Sequence, residues 1–85
     1  MLRIEVKTSL RPEDVINRAA KYFGGFGMQV KNQNPTGISF EGGGGGIELA
    51  ACADEKITTV EFVSSEWDYQ VKEFITTIKD KKPPK

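Results

Sequence analysis

Five consecutive glycines, Gly42 to Gly46, are the residues best able to do chemistry with backbone alone. Lacking Cβ atoms, they can turn successive N–H groups toward an anion, which is how phosphate nests are built. The specific phosphate motifs nevertheless fail. A dinucleotide fingerprint needs a glycine at its sixth place, where Ile47 stands, and no Lys-Ser or Lys-Thr follows to make a P-loop. The run reads better as a flexible hairpin loop, or as a place where another backbone approaches closely. A two-residue turn would join the flanking strands at lower entropy cost, so the functional version of this loop is a flap that orders on a partner.

The other chemical candidates are sparse. Cys52 has a nucleophile's side chain, but that chemistry wants a base and the chain contains no histidine, so a small buried or half-buried thiol is expected. One cysteine without histidine also excludes the usual zinc and iron ligand sets, and no cofactor is expected. Glu41 and Glu48 flank the glycines. Facing each other across a hairpin, they would make a carboxylate pair suited to weak divalent-cation binding or acid–base work, although exposed strand acids are the plainer reading. Trp67, with Tyr69 beside it, could line a pocket, but core packing for Trp67 and a partly exposed Tyr69 ring are the ordinary outcome.

The elements that must hold these residues are read from periodicity. The most continuous apolar stripe is Trp67, Val71, Phe74, Ile75 and Ile78, which share one side of a helix running from Ser65 to about Lys79. Burying each side chain contributes about 1.5–3 kcal/mol, so this helix needs a surface to cover. Ser65 is placed to cap it, with Asp68 three residues on, while Lys79, Lys81 and Lys82 suit its other end and Pro83 stops it. A first helix begins at Pro12, places Val15, Ile16, Ala19, Tyr22 and Phe23 at helical spacing, and ends at Gly24 and Gly25, where a left-handed residue is commonly wanted.

Strands alternate between and before these helices. Leu2, Ile4 and Val6 oppose Arg3, Glu5 and Lys7; Phe26, Met28 and Val30 oppose Gly27, Gln29 and Lys31; Ile38 and Phe40 oppose Ser39 and Glu41. Ile47, Leu49 and Ala51 oppose Glu48, Ala50 and Cys52, and Val60 and Phe62 oppose Glu61 and Val63. Turns are expected at Asn32–Gly37 and at Asp54–Lys56. The order β-α-β-β-β-β-α predicts a two-layer α+β sandwich, a five-stranded antiparallel sheet with both helices on one face. Residues 1–80 form one domain and residues 81–85 a basic tail. One sheet face is then left open, presenting mostly polar residues with a small neutral patch at Ala50, Cys52 and Val63.

This element order, ending in a long helix on a curved sheet, resembles the TATA-box-binding-protein-like fold and its relatives, the helix-grip lipid-binding domains. The likeness covers nearly the whole chain and lies in order alone, so what it implies is architecture. A TATA-box-type face would offer apolar and basic groups, whereas Glu5, Glu41, Glu48 and Glu61 occupy the expected open face here.

Composition narrows the function. The chain has 85 residues and 12 basic against 12 acidic groups, and four of the lysines cluster in residues 79–85. The body is therefore mildly acidic, which argues against nucleic acid as its main partner. No apolar run approaches a membrane span, and the start lacks a signal-peptide layout, so a cytoplasmic location is expected. The reading is a non-enzymatic binding or regulatory accessory protein with a protein partner, including a homodimer. Its contact positions are Glu41, Gly42, Gly43, Gly44, Gly45, Gly46, Glu48, Ala50, Cys52 and Val63. The alternatives are an apolar-ligand cavity lined by Phe40, Phe62, Trp67 and Phe74, and nucleic-acid contact through the lysine tail.

Overall fold

The computed structural model describes residues 2–78. The expected alternation becomes strand β1 (Leu2–Thr8), and Pro12, at a position whose N–H would go unpaired in any case, opens helix α1 (Pro12–Gly24). Four strands follow, β2 (Gln29–Asn34), β3 (Gly37–Gly42), β4 (Gly45–Asp54) and β5 (Ile57–Ser65), and then helix α2 (Asp68–Ile78). All pairings are antiparallel, in the order β1-β5-β4-β3-β2, so β2 to β5 form a meander and β1 closes against its last strand. The fold is the expected α+β arrangement.

One core lies between the sheet and the helices. From the sheet come Val6, Ile38, Phe40, Ile47, Leu49, Ala51, Val60 and Phe62; from the helices come Val15, Ile16, Ala19, Phe23, Val71, Phe74 and Ile78. Helix α1 packs over β2, β3 and β4, and α2 over β5 and β1. The aromatic rings meet at the centre. Phe23 stands 5.3 Å from both Phe40 and Phe74, and Phe62 stands 5.9 Å from Phe74, measured between ring centroids. Such contacts add modestly to the burial of each ring.

Local structure departs from the sequence reading at three junctions. Helix α1 does not reverse at Gly24 or Gly25; Gly25 is right-handed, and the left-handed residue is Gly27, with φ of 86°. Phe26 consequently sits in the turn, not in β2, and is 49% exposed. Second, β2 runs on through Asn32 and Asn34, which were expected in the turn, carries an irregularity between Val30 and Asn32, and has every residue exposed. Third, Ser65 does not cap α2. It is the last residue of β5, Glu66 reverses the chain with φ of 70°, and the Val71 N–H donates to the Trp67 carbonyl at 3.0 Å. The expected helix end at Lys79, the stop at Pro83 and the lysine tail lie outside the described residues.

Candidate partner-binding face

The glycine run is not a loose flap. Gly42 ends β3, Gly45 opens β4 opposite it, and only Gly43 and Gly44 form the turn. Their φ values of 57° and 82° are the left-handed pair that matches a two-residue hairpin to the twist of its strands. The flanking glycine at 45 answers to a close approach: a Cβ there would overlap the Ser65 carbonyl oxygen and lie 2.7 Å from Glu66 Cβ. The tip is also gripped by the residue that precedes α2. Trp67 donates its indole Nε1–H to the Gly42 carbonyl at 2.9 Å, and a Cβ on Gly43 would sit 3.1 Å from Trp67 Cζ2. The run is a seat for the start of α2: of the two expectations, the close approach of another backbone is found at Gly45, and a two-residue turn stands in place of the longer loop.

Strand register places the remaining candidates in rows across the open face. One row runs Arg3, Val63, Glu48, Ser39, Asn32; the next runs Glu5, Glu61, Ala50, Gly37, Asn34; a third runs Lys7, Thr59, Cys52. Glu41 lies beyond the first row, opposite Gly46 and Gln29. Glu41 and Glu48 are therefore diagonal neighbours on one face and do not oppose each other, as the carboxylate-pair expectation required. The Glu41 carboxylate instead lies 3.9 Å from Lys31 Nζ, with both side chains largely in water, where such a pair contributes little. Among the described residues no group of three or more histidines, cysteines, aspartates or glutamates could hold a metal ion.

The neutral patch is also redrawn. Ala50 and Val63 are diagonal neighbours, and Glu48 and Glu61 occupy the other diagonal of the same square. The centre of the face is thus two small apolar groups crossed by two carboxylates. Cys52 lies one step further along β4 and is exposed, not buried or half-buried, because no described element covers this side of the sheet. Glu5 stands opposite Glu61, a like-charge pair that does not favour the isolated sheet.

The face is hollowed. A trough of about 760 Å³ runs from Arg3 on one edge strand to Lys31 on the other, over Glu41, Glu48 and the glycine hairpin. A second hollow of about 200 Å³ adjoins it over Ala50, Val63 and Glu61 toward Asn32 and Asn34. The basic rim at Arg3 and Lys31 was visible as open-face alternation in the sequence. Its closeness to the glycines was not, because that depends on register across four strands.

The apolar-cavity residues have a different fate. Phe40, Phe62 and Phe74 are buried, Phe40 against Phe23 of α1 and Phe62 and Phe74 against each other, so their rings are core packing between the helices and the sheet. Trp67 is half-buried at its end of that layer, 6.1 Å from the exposed Phe26 ring. Tyr22, which packs against Phe23, Phe26 and Phe74, has its hydroxyl pKa raised above the ordinary 10.0, first by burial and then by Glu73 and Tyr69 nearby. It lies on the helical side, away from the trough. No described helix is long and apolar enough to cross a membrane.

The chain matches no protein-family model and no curated protein.

Proposed function

We propose that this protein is a non-enzymatic binding module whose open sheet face receives a protein partner. The observation that carries the reading is the asymmetry of the sheet. One face is sealed by two helices, while the other presents a trough of about 760 Å³ with basic residues at its two edges and carboxylates between them. A rim bearing both charge signs around a small apolar centre suits recognition of a polypeptide more than of a polyanion. The missing histidine and the solvated setting of the acids support a binding role over a catalytic one. A single cysteine fits a reducing compartment such as the cytoplasm.

The chain's only cysteine provides the test. A photo-crosslinker attached to Cys52 is compared with one attached at Arg18, exposed on the outer side of α1, in a Cys52→Ser, Arg18→Cys variant. The expected result is a discrete crosslinked product from the Cys52 position alone, lost on Glu48→Lys with Glu61→Lys while the circular dichroism spectrum is unchanged. Equal products from both positions, or a product indifferent to charge reversal, would sink the proposal.

A further inference from the structure

Strand β1 forms one edge of the sheet: it pairs with β5, and no described strand pairs with its outer side. Proteins usually protect such an edge from joining another chain. The opposite edge has that protection, since β2 is interrupted between Val30 and Asn32 and is followed at once by Pro35. β1 has neither device. Its register with β5 is unbroken from Leu2 to Thr8. On its core side, Leu2 and Ile4 remain half-exposed, and α2, the helix lying over this edge, leaves Ile75 half-exposed as well. Toward Thr8 the same side is fully buried. Unsatisfied apolar surface is therefore concentrated at the first half of the strand.

The charges say what fits there. On the open face, β1 reads Arg3, Glu5, Lys7. A second β1 laid antiparallel about a two-fold axis through Ile4 sets Arg3 against the other copy's Glu5, and Glu5 against the other copy's Arg3. The same register sets Leu2 against Val6 and Ile4 against itself on the core side. Centring the axis on Glu5 would oppose two carboxylates. Centring it on Val6 would place the seam where the core side is already buried and leave Leu2 outside. One register therefore satisfies both faces.

We propose that a second copy of this chain adds to β1, joining two sheets into one ten-stranded layer about a two-fold axis at Ile4. The interface is isologous and runs along the outer edge of β1; it shares Arg3 with the rim of the trough, and Glu5→Arg, outside the trough lining, separates it from the partner-binding reading. It also sets the two open faces side by side. A contact of this length is small, and the dimer is expected to be weak and concentration-dependent.

Sedimentation equilibrium from about 10 µM to about 1 mM tests this directly. Wild-type protein is expected to show a reversible monomer–dimer equilibrium. Arg3→Glu and Glu5→Arg should each weaken it by about tenfold or more, because each turns two attractive pairs into repulsive ones. The double variant Arg3→Glu with Glu5→Arg should restore the dimer, and an equimolar mixture of the two single variants should form a heterodimer. Lys7→Glu, which removes a diagonal like-charge neighbour of the other copy's Arg3, should not weaken the equilibrium. A wild-type protein that is monomeric throughout, single variants that dimerise as well as wild type, or a double variant and mixture that stay monomeric would overturn the proposal. A larger loss from Lys7→Glu than from Arg3→Glu would overturn the register.

Discussion

Alanine substitution along the glycine hairpin separates a loose loop from a tight seat. Gly44→Ala meets a single cost, since its φ is 82° and no atom lies within 4 Å of the new methyl group. A left-handed L-residue costs about 1–2 kcal/mol, and reduced freedom of the unfolded chain offsets about 0.4–1 kcal/mol of it, leaving about 0.5–1 kcal/mol. Gly43→Ala adds contact with Trp67 Cζ2 at 3.1 Å and should cost somewhat more. Gly45→Ala has no positive φ to contend with, yet its methyl group would overlap the Ser65 carbonyl and crowd Glu66 Cβ at 2.7 Å. The end of β5 and the entry to α2 must then move. Overpacking of this kind costs about 1–3 kcal/mol, and displacing Trp67 from the Gly42 carbonyl adds about 1 kcal/mol. A total of roughly 2–4 kcal/mol lowers the melting temperature of a domain this size by about 10 °C or more. Thermal and urea unfolding followed by circular dichroism should rank the losses Gly45→Ala, then Gly43→Ala, then Gly44→Ala. If all three variants unfold within about 0.5 kcal/mol of wild type, the hairpin is the loose loop after all and the seat for α2 does not exist.

Three further outcomes follow from the same geometry. Ser65→Ala should change stability by less than about 0.5 kcal/mol in urea unfolding, whereas loss of a true helix cap would cost about 1 kcal/mol. Phe62→Ala, at a ring with no exposure, should cost about 3–5 kcal/mol, while Val63→Ala on the opposite face of the same strand should be nearly neutral by the same assay. Tyr22 has a folded-state pKa raised by burial, so it holds its proton more tightly folded than unfolded. Its contribution is intact below the ordinary tyrosine value of about 10 and is lost as pH climbs from there through the higher folded value. Unfolding curves of Tyr22→Phe should therefore show a smaller alkaline loss of stability than wild type, and equal losses would contradict a hydroxyl that holds its proton more tightly in the folded chain.

The elements were legible because each obeys a one-dimensional rule. Alternation of period two in β1, β4 and β5, and the spacing of Val71, Phe74 and Ile78, state which side chains must leave water, and the structure buries them except at Leu2 and Ile4, which stay half-exposed on the sheet edge. Open-face membership was readable for the same reason: Arg3, Glu48, Ala50 and Glu61 fall on it by alternation. The junctions were not legible. Phe26, Gly27 and Met28 alternate as a strand would, yet β2 starts only at Gln29, because the chain completes the turn out of α1 first. Ser65 has a capping residue's chemistry, but pairing with Gly46 holds it in the sheet. A cross-strand partner outweighs a local preference.

The glycine run divides the two kinds of information most sharply. Composition alone says that Gly42–Gly46 can reach conformations other residues avoid, and it says nothing of which ones are used. Their use is set by Trp67, whose indole bonds a carbonyl 25 residues earlier, and by the path from Ser65 to Glu66 across the hairpin. Periodicity encodes which face of an element is apolar, since that is a property of neighbours along the chain. Register, the crossed square of Ala50, Val63, Glu48 and Glu61, and the tight seat of α2 depend on atoms far apart in sequence, and they come into being only when the sheet closes under its helices.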